Sequence, residues 1–308
     1  MMVTDTSWRV LSINRSFALF LDVDARAAAG KPAAGLVKRL PALASAFSAG
    51  VEVRQEIATG DTFHDMSITR VVDPRGRFGG WLVHLRDITE RVRAVQTMLR
   101  EKEKSEVLLL NIFPGPIAQR LKDGGLPISD SFAEATILFV DIVDFTPFCE
   151  TLTPGELVET LDALFSLFDG LAERYGVEKI KTVGDAWMAA CGVPVANRDH
   201  AGTMALLALA IVQAVAGYNK GAQRPLEVRI GMHCGPVVAG VIGLKRFIYD
   251  LWGDTVNTAC RMESGSLPNR IQVTEAIHDR LKDRHIFEER GEMQVKGKGT
   301  MKTWFLVG

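Results

Sequence analysis

Between residues 135 and 233, short apolar runs alternate with two helix-length segments in the order strand, helix, strand, strand, helix, strand. The strand runs are residues 135–142, 177–183, 186–191 and 226–233, and the helices are residues 154–175 and 200–218. Runs of six to eight mostly apolar residues must be buried on both faces, and the two helices can cover only one of them. The order predicts an α+β class and a ferredoxin-like βαββαβ sandwich with both helices on one side of the sheet. Something else must cover the second face, and dimerisation is the expected cover.

The first hundred residues have a different texture. Val51, Val53 and Ile57 fall on one alternating set, and Trp81, Val83 and Leu85 on another, whose opposite face carries His84 and Arg86. Each is a strand with one wet face. Asp73-Pro74-Arg75-Gly76 supplies the fixed φ and glycine freedom of a tight turn between two strands. Ile13-Asn14-Arg15-Ser16-Phe17 and Leu85-Arg86-Asp87-Ile88-Thr89-Glu90-Arg91 resemble the helix entry and the exit of a PAS sensor domain, over about residues 8–90. Residues 1–88 are therefore read as a PAS-like α/β domain. Little sequence precedes Val10-Leu11-Ser12, so that domain's usual first strand is expected from residues upstream of this chain. No cysteine occurs before Cys149, which excludes a flavin photoadduct. His64 and His84 are the candidate haem histidines and lie in strand runs, where a packed or surface histidine is expected. The resemblance leaves the sensor's ligand unnamed.

Asp87 can cap the first free N–H groups of a following helix while Glu90 reaches back. Ile88, Val92, Val95 and Leu99 then recur at 4-3-4 spacing, the seam of a short parallel coiled coil. The seam stops at Lys102 and Glu106, and an apolar pattern resumes in another phase at Val107, before Pro114 and Pro116. This reads as a joint between two stiff elements. Residues 89–130 are therefore read as a coiled-coil helix with a linking segment, Leu108-Leu109-Leu110-Asn111-Ile112-Phe113-Pro114, and residues 131–308 as a second domain.

Charge excludes one class of partner. With 36 basic and 37 acidic residues the net charge is -1, so no electrostatic footprint for nucleic acid exists. The longest apolar stretch, residues 204–217, is broken by Gln213 and falls short of the roughly 18 residues that cross a bilayer. It is read as a buried helix, with no membrane segment in this chain. Cys149, Cys191, Cys234 and Cys260 have no metal or redox spacing, which fits a reducing, cytoplasmic compartment.

Asp141 and Asp144 sit where the run 137–140 gives out and a helix begins at Phe145-Thr146, a place where free N–H groups meet phosphate oxygens. Asp185 follows Gly184 in the turn between the central strands, where a hairpin brings it beside the first strand. Two such carboxylates suit Mg²⁺ or Mn²⁺ carrying a nucleoside triphosphate, though an aspartate taken alone at such a place is more often a cap or turn residue.

Three blocks decide between these readings. Phe139-Val140-Asp141-Ile142-Val143-Asp144-Phe145-Thr146, Lys179-Ile180-Lys181-Thr182-Val183-Gly184-Asp185 and residues 249–262, from Tyr249-Asp250-Leu251-Trp252-Gly253-Asp254 through Asn257 to Arg261-Met262, occur in order. Together they resemble the class III nucleotidyl cyclases over residues 130–308, which makes residues 131–308 the expected catalytic domain; Leu108 to Pro114 then resembles the transducer segment that precedes such domains in bacteria, and residues 89–130 read as a coiled-coil signalling helix and transducer. That resemblance implies two divalent ions at Asp141, Ile142 and Asp185, purine readers at Lys181 and Asp250, and Phe145 and Thr146 against the triphosphate. It also implies that Asn257 orients the ribose, Arg261 stabilises the transition state, and Lys296 in Val295-Lys296-Gly297-Lys298-Gly299 binds the γ-phosphate, with Lys298 as its alternative. Lysine only donates and carboxylate only accepts, which suits adenine N1 and its amino group and mispairs guanine. Guanylyl cyclases carry glutamate where this chain has Lys181. In the family the metal aspartates come from one subunit and the purine and transition-state residues from the other, so a homodimer binding ATP at two equivalent sites is implied. Many relatives have a small residue such as glycine where this chain has Asp144. The reading is an adenylate cyclase forming 3′,5′-cyclic AMP and pyrophosphate; its rivals are a guanylate cyclase and a non-catalytic nucleotide-binding module.

Overall fold

Two units make up the chain, Met1–Leu108 and Leu109–Gly308, in a computed structural model that describes residues 1–37, 43–45, 47, 50–222, 224–243 and 245–308. In the first, β1 (Met2–Thr4) and β2 (Val10–Ile13) are followed by three short helices, α1 (Arg15–Phe20), α2 (Ala25–Ala28) and α3 (Ala33–Leu36). β3 (Val53–Thr59), β4 (Thr62–Val72) and β5 (Phe78–Asp87) complete an antiparallel sheet of order β2-β1-β5-β4-β3. Asn14 caps α1 by accepting from the Phe17 N–H at 3.0 Å, and the 73–76 turn closes with the Gly76 N–H on the Asp73 carbonyl at 2.9 Å.

Sequence periodicity does not mark β1, which pairs with both β2 and β5; three residues are too few to show an alternating period. Within the unit Trp8 stacks on Trp81 at 4.8 Å and meets Phe47 at 4.5 Å, above buried Met66, Ile68 and Val83. His64 is buried against Phe20, with ring centres 4.6 Å apart, whereas His84 is exposed on the other face.

α4 (Thr89–Leu110) starts where Asp87 accepts the Thr89 N–H at 2.8 Å. It runs unbroken through residues 102–106, so the phase change there is not a joint. Lys102, Glu103 and Lys104 are good helix formers, and Lys104 pairs with Glu101 one turn back at 3.1 Å. The break falls instead at residues 111–114, ahead of α5 (Gly115–Lys122).

The second unit is built on β6 (Ser129–Ile142), α6 (Phe145–Glu150), α7 (Pro154–Tyr175), β7 (Glu178–Val183), β8 (Ala186–Cys191), α8 (His200–Asn219) and β9 (Val228–Ile242). A capping box sets the start of α7: Thr153 accepts from the Glu156 N–H at 3.3 Å while Glu156 accepts from the Thr153 N–H at 2.8 Å, and Gly176 ends the helix in the left-handed region. β10 (Ile248–Trp252), α9 (Asp254–Ser264), β11 (Ile271–Thr274), α10 (Glu275–Leu281), β12 (Phe287–Val295) and β13 (Gly299–Leu306) follow. The sheet order is β12-β13-β11-β9-β6-β8-β7, with β10 paired to β9. The end of the sheet that finishes at β7, β9-β6-β8-β7, is the expected ferredoxin-like core.

Alternation sends the two side-chain sets of each strand into two cores. Leu138, Val140, Trp187, Ala189, Ile230 and Met232 pack under α7 and α8. Ile137, Phe139, Met188, Val237 and Ala239 pack on the other face. Dimerisation was the expected cover for that second face. The chain supplies its own: Leu109, Phe113, Ile117 and Ala118 from the end of α4 and from α5 and the residues between them, and Val256 and Ala259 from α9. α8 is long and apolar enough to cross a membrane by length and composition, but Met204, Leu207, Ile211 and Val215 are buried in the first core, as expected of a core helix.

Candidate active site

Asp141 is the penultimate residue of β6 and stands opposite Arg229 in the β6–β9 ladder. The Arg229 guanidinium donates to Asp141 Oδ2 at 2.6 Å, and its Nε lies 3.5 Å from Glu263 on α9. Asp185 follows Gly184, whose φ of 66° turns the chain between β7 and β8. Burial and the neighbouring Asp141 carboxylate hold Asp185 above the usual carboxylate range. Burial, then the Asp141 charge, pushes Glu263 up to about 7, against the pull of Arg229. Asp141 and Asp185 thus crowd one place, as two hard oxygen donors for a divalent ion would. Among the described residues no group of three or more His, Cys, Asp or Glu could hold a metal by itself. Two carboxylates are the complement expected when substrate phosphates complete the coordination of Mg²⁺.

Sequence reasoning missed Arg229 and Glu263. Both had a signal: Arg229 lies on the face of β9 opposite Val228, Ile230 and Met232, and Glu263 follows Val256 and Ala259 at helical spacing on an otherwise apolar stripe.

Asp144 carries α6 from a left-handed conformation, φ 51° and ψ 39°, and its side chain makes no cap hydrogen bond. That backbone favours glycine. Asp144→Gly is expected to raise the thermal midpoint, by up to about 1 kcal/mol in stability, in a melt followed by circular dichroism. A lowered midpoint would show that the carboxylate is structural. Phe145 and Thr146 open α6, their N–H groups ahead of its first internal bond, from Phe148 to the Asp144 carbonyl at 3.1 Å.

Lys181 on β7 and Asp250 on β10 meet although 69 residues separate them: Lys181 Nζ donates to Asp250 Oδ2 at 2.6 Å. The other Asp250 oxygen accepts from the Leu251 N–H at 2.8 Å, which fixes its orientation. Asn257 and Arg261 lie one turn apart on the exposed face of α9. With Asp254, Lys296 and Lys298 they line a cavity of about 390 Å³. Lys298 is held by Asp254, whereas Lys296 is exposed, with no side-chain partner among the described residues. Glu263 is two residues beyond Arg261, which is roughly 200° around the helix. One side of α9 therefore faces Asp141 while Asn257 and Arg261 face away from it.

The sequence profile of the adenylate and guanylate cyclase catalytic domain matches residues 128–308, more than half of the chain. The chain belongs to that family. It is 44% identical over 222 residues to an adenylate cyclase of Mycobacterium tuberculosis, covering 72% of this chain and 50% of the relative. It is also 42% identical over 222 residues to the guanylate cyclase soluble subunit beta-2 of Rattus norvegicus, covering 71% of this chain and 32% of that one. The chain thus spans half or less of the length of these curated relatives. Among solved structures, the guanylate cyclase domain of RhGC from Catenaria anguillulae in complex with GTP superposes with a TM-score of 0.57 at 34% identity, over 58% of this chain and 98% of that one. The cyclase family therefore accounts for the second unit, and both of its nucleotide specificities occur among the relatives.

Proposed function

We propose that this protein is an adenylate cyclase, converting ATP to 3′,5′-cyclic AMP and pyrophosphate at two equivalent sites of a homodimer. The observation that carries the choice of base is the Lys181–Asp250 pair, already joined at 2.6 Å. Adenine offers an acceptor at N1 to the ammonium and an amino donor to the carboxylate. Guanine offers the reverse, and would leave both groups mispaired at about 1–3 kcal/mol each. The same pair disfavours the guanylate reading that the family equally contains.

Asp141, Asp185 and the Ile142 carbonyl would hold two Mg²⁺ or Mn²⁺ ions, which when bound acidify the ribose 3′-hydroxyl and neutralise phosphate charge. Asn257 orients the ribose, and the planar fork of Arg261 takes up charge developing on the transferring phosphate. Lys296 is unengaged and suited to the γ-phosphate, while Lys298 is committed to Asp254. The free N–H groups of Phe145 and Thr146 suit the other phosphate oxygens. Because Asn257 and Arg261 point away from Asp141 on α9, the residues for one reaction come from two copies of the chain.

The first unit is assigned as a PAS-like sensor, supported by its β2-β1-β5-β4-β3 order and the helices between β2 and β3. Val95 and Leu99 on α4 are 52% and 53% exposed, which suits the seam of a parallel coiled coil.

Product analysis with Mn²⁺ and either ATP or GTP tests the reading: cyclic AMP from ATP alone is expected. Lys181→Glu should then lower kcat/KM for ATP about 10–100-fold, the cost of one mispaired polar contact. Cyclic GMP from the wild type would overturn the purine assignment, and no product and no nucleotide binding would overturn the enzyme.

A further inference from the structure

Each purine-reading strand carries a second polar residue that the catalytic scheme does not use. Tyr249 immediately precedes Asp250 on β10, and Glu178 lies three residues before Lys181 at the head of β7. Tyr249 is 5% exposed, and its hydroxyl is fully buried with no hydrogen-bond partner among the described residues. Glu178 is half-buried, and its carboxylate makes no side-chain hydrogen bond or ion pair there. Burial pushes Glu178 above the usual carboxylate range; burial and then the Glu178 charge push the Tyr249 phenol up. An orphaned buried hydroxyl costs about 1–3 kcal/mol, and one retained in a packed core calls for a functional account.

Both residues line one cavity of about 450 Å³. Its opposite wall is residues 110–115, the segment at which α4 ends and α5 begins. Phe113 and Ile117 from that region share an apolar cluster with Tyr249 and with Ile180, the neighbour of Lys181. The transducer segment therefore rests on the two strands that carry the purine readers, with a void left beside the Tyr249 hydroxyl and the Glu178 carboxylate.

We propose that Tyr249 and Glu178 are positioning residues for the Lys181–Asp250 pair, the Tyr249 hydroxyl donating to the Glu178 carboxylate when residues 111–115 close over the cavity; this rests on the purine reading of Lys181 and Asp250. The bond ties β10 to β7 beside the base-reading pair. It exchanges an orphaned hydroxyl and an unpaired carboxylate for one charge-assisted hydrogen bond. A shift of the segment thereby changes the spacing of Lys181 and Asp250 without touching the nucleotide.

The test compares the full-length wild type with Tyr249→Phe, Glu178→Gln and the double variant in kcat, KM for ATP and for GTP with Mn²⁺, and thermal midpoint. Loss of an orphaned hydroxyl leaves the midpoint unchanged or raised. Even so, Tyr249→Phe is expected to lower kcat/KM for ATP about tenfold, the scale on which small misplacements act, and to narrow the preference for ATP over GTP. The double variant is expected to be no worse than either single one, as for two ends of one bond. Variants matching the wild type in kcat/KM and base preference would overturn the proposal, as would additive losses that track a lowered midpoint. If the wild type forms no cyclic nucleotide, the catalytic readout is lost for a reason separate from the positioning role, and equilibrium binding of ATP with Mn²⁺ takes its place. Affinity weakened about tenfold in Tyr249→Phe sustains the positioning role; equal affinities, or a wild type that binds no ATP, remove it.

Discussion

Replacing Asp141 with Asn is expected to lower cyclic nucleotide formation by 10²–10³-fold or more, as loss of a group serving transition-state charge does. Arg261→Ala should do the same through a different half of the site. The decisive result is their mixture. The two variants together should recover about a quarter of wild-type activity, because half of the dimers join unlike chains and each of these has one intact site of two. The prediction follows from α9, which turns Glu263 toward Asp141 and Arg229 but Arg261 to the opposite side. A mixture no more active than either variant alone would mean that one chain completes its own site. Circular dichroism on each variant checks that the fold survives the loss of charge opposite Arg229, to which Asp141 is bonded at 2.6 Å.

Gly231→Ala should have the largest effect on stability. A Cβ at Gly231 would sit 1.9 Å from the Glu263 backbone nitrogen and 2.5 Å from the Met262 carbonyl carbon. Both are main-chain atoms of α9, which cannot swing aside as a flexible side chain would. The helix must lift from β9, at a cost of about 3 kcal/mol or more, the upper end for overpacking. Lifting it also carries Glu263 away from Arg229, so activity and thermal midpoint should fall together. Gly170 is the matched control: it lies on the exposed side of α7 with nothing within 4 Å of an added Cβ. Gly170→Ala should raise stability by about 0.5–1 kcal/mol. Equal midpoints for the two alanine variants would show that α9 does not pack on Gly231 as closely as described.

What could be read in advance follows from the range of the forces involved. Residues 154–175 are recognisable as a helix because Thr153, Glu156 and Gly176 act within a turn of its ends. The strands from β6 to β9 announce themselves as short apolar runs, and Asp141 and Asp185 by standing where such runs stop. The three ordered blocks that point to a cyclase are local strings as well. β1 escaped notice because three residues are below the length at which a period can be seen, and the helix across residues 102–106 because helix formers outweighed a shift in apolar phase.

The rest depends on register between segments far apart. Sequence alone determined the order of strands and helices across residues 135–233, the cyclase family resemblance and the residue types proposed for metal, purine and phosphate. Only the tertiary structure decided that Arg229 lies beside Asp141, 88 residues away, and that Lys181 meets Asp250 across 69. It also decided that residues 109–118 pack on the second face of the sheet. The physical reason is that each of these is a pairing between distant strands or helices: pattern within a segment says which face is buried, but only packing says what buries it.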